Sequence, residues 1–177
     1  MRALIWAVAA DLVRYHGKVH VGPETARACK RAAELAKEIP DATVCAVAAY
    51  STEYGVHMGA EPMQEALKLF GIEPERIWAP RNRREFTTAG EAQMLLCCIL
   101  QQPGPVTVFV ACRWWHLQRA ARLLEQALPD ESRGRTKIVA APVWSWQFWW
   151  GIPYEACAWI KHRRRLFPSH RTKFQRA

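Results

Sequence analysis

Apolar residues along this chain fall alternately into short continuous runs and into stripes at helical spacing. Ala3–Ala9 is an apolar run of strand length. A polar stretch with His16, Gly17 and His20 follows and reads as a loop. Pro23 suits a first helical position, where the missing N–H costs nothing. Ala28, Cys29, Ala32, Leu35, Ala36 and Ile39 then recur at helical spacing until Pro40-Asp41 breaks the run. Thr43–Ala49 is a second strand-like run, and Tyr50–His57 reads as a loop. Met63, Ala66, Leu67 and Phe70 form one face of a helix over about 61–70, with Gly71 placed as a left-handed cap. Arg76–Ala79 reads as a short third strand and Arg81–Glu85 as a charged loop. Residues 89–101 are apolar almost all round, as in a well-buried helix. Pro103-Gly104-Pro105 turns the chain into a fourth strand, Val106–Ala111. A helix from Arg113 to about Leu128 and a fifth short strand, Lys137–Ala141, complete the pattern.

Strand–helix alternation with near-continuous apolar strands predicts an α/β domain in three layers: a mostly parallel five-stranded sheet with helices on both faces. The chain has 177 residues, half of them apolar, enough for one domain with its own core. That domain is expected over about 1–142. Residues 143–177 would pack on it or extend from it as a Trp-rich segment, a helix over Tyr154–Leu166 and a basic tail.

Charge sharpens the division. Residues 161–177 hold seven Lys or Arg and no acid, and removing them from the net charge of +9 leaves +2 for residues 1–160. The chain is a near-neutral domain with a basic tail, a candidate contact for nucleic acid or a peripheral membrane surface. Just before the tail, residues 141–160 carry five of the nine Trp, but Pro142, Gly151, Pro153 and Glu155 argue against a continuous membrane span. The six Cys form no C-x-x-C pair, as expected of reduced, buried thiols in a cytoplasmic protein. The short N-terminal apolar run reads as a core strand rather than a signal.

The candidate chemistry is narrow. Neither a Gly-rich phosphate loop nor a Walker lysine follows the first strand, and no G-x-S-x-G elbow is present. His16 and His20 are interrupted by Gly17 and joined by no carboxylate or Cys pair, so no metal site is expected. Thr88-Ala89-Gly90-Glu91 has the form of a capping box, which would place Thr88 at a helix N-terminus able to face a ligand. Arg113, His116 and Arg119 lie at i, i+3 and i+6 beside a helix start. Cations there oppose the helix dipole unless something anionic sits with them. The alternative is an exposed basic face that also includes Arg122.

Several of these segments resemble the DUF218 or YdcF-like family. The resemblance rests on Val108-Phe109-Val110 followed by Trp115-His116-Leu117-Gln118-Arg119-Ala120, on Thr87-Thr88-Ala89-Gly90-Glu91-Ala92, on Met63, Leu67 and Gly71-Ile72, and on the order of elements over 1–142. It implies a Rossmann-like fold, and one branch of that family is associated with S-adenosylmethionine. The expected function is binding of a small anionic or nucleotide-like molecule at the carboxyl edge of the sheet. Thr88, Arg113, His116 and Arg119 would bind it, Tyr50, Ser51 and the 11–17 loop would line the site, and His116 would serve as acid–base if a reaction occurs. The competing expectation is an interaction module that docks through the Trp-rich segment and the tail. A phosphoryl-transfer or hydrolytic enzyme ranks third, because no acidic metal cluster is evident.

Overall fold

The computed structural model describes residues 1–47, 60–80 and 87–144, together with Pro153, Ala156, Cys157 and Ile160. Met1–Ser145 forms one compact unit and Trp146–Ala177 a second. The expected loops at 50–57 and 81–85, Tyr50, Ser51, most of the Trp-rich segment and the basic tail lie outside the described residues. In the second unit the four described residues are helical and exposed.

The first unit is an α/β domain around a five-stranded sheet. Its strands are β1 (Arg2–Val8), β4 (Thr43–Val47), β5 (Ile77–Trp78), β6 (Val106–Arg113) and β7 (Thr136–Val143), in the order β5-β4-β1-β6-β7. Every neighbouring pair in this sheet is parallel, as the sequence pattern predicts and more uniformly. Between β1 and the first helix the sequence suggested a loop, but the chain forms a hairpin, β2 (Leu12–Tyr15) and β3 (Lys18–Val21). His16 and Gly17 both take positive φ, as a two-residue hairpin turn requires.

The helices are α1 (Pro23–Glu38), α2 (Glu61–Leu69), α3 (Thr88–Leu100), α4 (Trp114–Ala127) and the short α5 (Asp130–Arg133). Strand alternation sorts the core into two layers. Ile5, Ala7, Val44 and Ala46 pack with α1 and α2 on one face, while Leu4, Trp6, Val8, Cys45 and Val47 pack with α3 and α4 on the other. The strands are therefore apolar on both sides, which explains their continuous runs. Small residues on α1, Ala28, Ala32, Ala33 and Ala36, let it lie close to the sheet.

Two arginines hold the amino-terminal edge. Arg76, expected in the third strand, sits in a 3-10 turn before β5. Its guanidinium donates to the carbonyls of Ala36, Ile39 and Ala42 at 2.8, 3.1 and 3.2 Å, satisfying groups left open where α1 ends. Arg135 donates to Gln102 and Gly104 carbonyls at 2.7 and 3.0 Å, fixing the turn into β6. Gly71 takes φ +88° after α2, as expected, and the Ile72 and Gly71 amides bond back to Leu67 and Lys68.

Candidate functional site

The strand order puts a topological switch point at the carboxyl edge. From β1 the chain moves outward to β4 and β5, then crosses back so that β6 lies against the other side of β1. The helices that follow β1 and β6 consequently begin beside one another, at the switch point where open α/β sheets take their ligands. The two helix starts are equipped differently.

At the start of α1 the N-cap residue is Gly22, which has no side chain to accept from the first turn. The acceptor comes from Asp11. Its carboxylate receives the Thr25 amide at 2.7 Å and the Glu24 amide at 3.3 Å. The Thr25 hydroxyl accepts the Ala10 and Asp11 amides at 2.9 Å, and its single proton lies between the Asp11 carbonyl at 2.7 Å and carboxylate at 3.0 Å. Gly22 leaves room for this: a Cβ there would stand 2.3 Å from the Asp11 carboxyl. Its φ of −74° is ordinary, so space rather than backbone freedom calls for glycine.

Beside this cap lies Glu24, whose side chain is 1% exposed. It pairs with Arg27 and, from the end of β6, with Arg113 at 2.8 Å. A carboxylate this deep loses its hydration and requires such partners. Arg113 also lies 5.4 Å from the centre of the Trp115 ring.

Among the described residues, no carboxylate caps the start of α4. Its N-cap residue, Arg113, supplies no side-chain acceptor, and no acidic residue stands in the first turn. His116 faces back toward α3. Its Nδ1 lies 2.7 Å from Arg119 Nη2, and its Nε2 lies 3.3 Å from Thr88 Oγ1. A guanidinium can only donate, so Nδ1 must accept, and the proton sits on Nε2, directed at the Thr88 hydroxyl. The order of donation runs from Arg119 to His116 to Thr88. Trp114 meets Trp115 edge-on at 5.8 Å and Trp144 at 6.0 Å.

No family model matches this chain, and neither do curated proteins or solved structures. The site therefore rests on its own geometry. Of the residues named from sequence, Thr88, His116 and Arg119 come together. Arg113 belongs to the same helix start, but its guanidinium turns to Glu24. Tyr50 and Ser51 lie outside the described residues. Thr88 does not cap α3: Thr87 is the N-cap, and its hydroxyl accepts the Gly90 amide at 3.1 Å. The capping register is one residue earlier than expected, which leaves the Thr88 hydroxyl for His116. Of the expected 11–17 lining loop, Leu12–Tyr15 is strand and Asp11 is turned to α1.

Sequence reasoning missed Gly22, Glu24 and Thr25, and gave Asp11 only as part of the 11–17 lining loop. A signal was available: Gly22 before Pro23 provides no capping oxygen, so an acceptor had to come from elsewhere. Among the described residues, no group of three His, Cys, Asp or Glu is placed to hold a metal ion, and no helix is long and apolar enough to cross a membrane. Desolvation pushes the Cys29 thiol up to about 12, so it stays neutral and is a poor nucleophile. Cys45 and Cys98 interact across β4 and α3. The Cys98 thiol raises Cys45 well above its usual range, with burial adding to the effect, and Cys45 in turn lowers Cys98.

Proposed function

We propose that this protein binds a small anionic or nucleotide-like molecule at the carboxyl edge of its sheet, against the start of α4. The carrying observation is the chain Arg119–His116–Thr88 laid beside a helix start whose first turn holds no acidic residue. The positive end of the helix dipole and a guanidinium favour a negative group there. His116 acts as a donor through Nε2, or as the acid–base group if a reaction occurs. S-adenosylmethionine, which the resemblance to the DUF218 or YdcF-like family brings to mind, belongs among the test ligands together with nucleotides and sugar phosphates. The reading places the protein in the cytoplasm.

Thermal-shift measurements with these three classes test the reading. At least one should raise the melting temperature of the wild type and have little effect on Arg119→Ala. If none stabilises either protein, the proposal fails.

An interaction module remains the second reading, and one observation favours it: Trp144 is 76% exposed beside Trp114, as hot-spot tryptophans are before a partner covers them. Salt-sensitive binding to RNA or anionic vesicles that disappears on deletion of 161–177 would support it. Binding that persists after the deletion would remove the tail from the mechanism.

A further inference from the structure

We propose that the β2–β3 hairpin is a docking surface for single-stranded nucleic acid, with bases stacked on the rings of Tyr15, His16 and His20 and backbone phosphates held by Lys18. The hairpin is a two-stranded sheet of its own beside the five-stranded one. Its register sorts the side chains by face. Val13 stands opposite His20, and Tyr15 opposite Lys18, so these four share one face while Leu12, Val19 and Val21 share the other. The second face is half-buried, and Val21 packs against the core layer of α1 and α2. The first is open along its whole length. Val13 is 44% exposed and Tyr15 66%, and Lys18 and His20 are exposed beside them. A two-stranded ribbon depends on what it buries, and an aromatic ring left in water adds little to that.

The turn supplies the third ring. His16 takes φ +48° and Gly17 φ +76°, a pair of conformations for which Asn-Gly is the favoured sequence. A histidine in the first position gives up that preference and presents an exposed imidazole, which meets Tyr15 edge-on at 4.2 Å. Charge selects the occupant. Residues 12–23 contain Arg14 and Lys18 and no acid. The flanking carboxylates, Asp11 and Glu24, are engaged at the α1 start. Planar rings beside a cation suit a polyanion whose bases offer their faces for stacking. A lipid surface would need more apolar area than Val13 provides, and a duplex keeps its base faces inside the stack. The surface does not use the α4 start, so it stands whether or not a small ligand binds there.

The test uses the full chain and a fluorescein-labelled single strand of about ten uridines, with binding followed by anisotropy. Tyr15→Leu keeps a strand-compatible side chain and should weaken binding by about fivefold or more, the loss of one stacked base. His16→Asn suits the turn and should weaken binding by about threefold or more. Lys18→Gln should reduce the slope of log affinity against log salt by about 0.7. Lys137→Gln, at the start of β7, should bind as the wild type does. In the wild type, a strand carrying 5-iodouridine should crosslink on irradiation to residues 12–21, as mass spectrometry would map. The proposal is overturned if the wild type does not bind the strand, if Tyr15→Leu or His16→Asn binds it undiminished, or if crosslinks fall only elsewhere, the basic tail included. Vesicles containing phosphatidylserine give a further arm: loss of vesicle binding in Tyr15→Leu with RNA binding intact would assign the face to lipid and overturn the proposal. Should a variant fail to fold, the crosslink on the wild type still decides.

Discussion

Two helix starts share one sheet edge and solve the same electrostatic problem in opposite ways. The α1 start brings in a carboxylate from its own chain, and a buried Glu24 with two arginine partners seals the place beside it. The α4 start has no acidic residue in its first turn and carries His116 and Arg119 instead. A helix N-terminus favours negative charge, so the carboxylate at the α1 start complements its helix dipole, while the α4 start draws no acidic side chain from its own first turn. The comparison teaches that presence of a cation does not by itself mark a binding site. Arg113 stands at the same edge as Arg119, but it completes an internal pair with Glu24.

The strongest way to break this contrast is to remove Glu24. Glu24→Ala should lower unfolding free energy by about 3–5 kcal/mol in denaturant titrations, because it strands partly buried guanidinium groups. Arg119→Ala should cost far less. Equal losses would mean that both ends are structural.

Next in size is Gly22→Ala. The added methyl would clash with the Asp11 carboxyl, and about 1–3 kcal/mol of stability should be lost. Combined with Asp11→Ser, most of that added cost should vanish, since the clashing group has gone. Simple additivity in this double-mutant cycle would show that Gly22 serves some other purpose.

The two adjacent threonines offer a finer comparison. Thr87→Ala removes the α3 cap and should cost about 1 kcal/mol. Thr88→Ala should instead couple to His116→Ala by about 0.5–1 kcal/mol, measured by chemical denaturation of the single and double variants. Coupling to His116 through Thr87 rather than Thr88 would reverse the register described above.

The smallest effect concerns the thiols. In the native protein at pH 8, iodoacetamide should label the exposed Cys97 and Cys157 and leave Cys29 untouched until unfolding, as mass spectrometry would record. Cys29 sits at about 12 when folded, above the ordinary thiol value of 9.0. Its neutral form is therefore fully compatible with folding below pH 9, and stability should decline as the pH rises from 9 toward 12. Early labelling of Cys29 would mean that the layer between α1 and the sheet opens readily.

Much of the fold was legible because burial leaves a periodic trace. The β1 and β6 runs are almost continuously apolar since both faces of the sheet are covered, and Gly71 stood where a helix had to end. The β2–β3 hairpin was not legible: its strands are four residues each, too short for alternation to stand out from a polar loop. The Thr87-Thr88 pair was ambiguous for a related reason. Either residue can cap a helix, and the choice is made by how α3 seats Ala92, Leu95 and Ile99 in the core.

By itself the sequence determined the order of the five sheet strands and the four longer helices, the apolar faces that make three layers, and the cluster of cations at the start of α4. These depend on patterns within a dozen residues, and local periodicity records them. Only the tertiary structure decided which charges meet. Glu24 and Arg113 are 89 positions apart and pair because the crossover places β6 against β1. Asp11 reaches Thr25 because the hairpin between them folds back and returns the chain to the same strand end. Such pairings depend on where strands sit in the sheet, a property of the whole fold that no local stretch of residues carries.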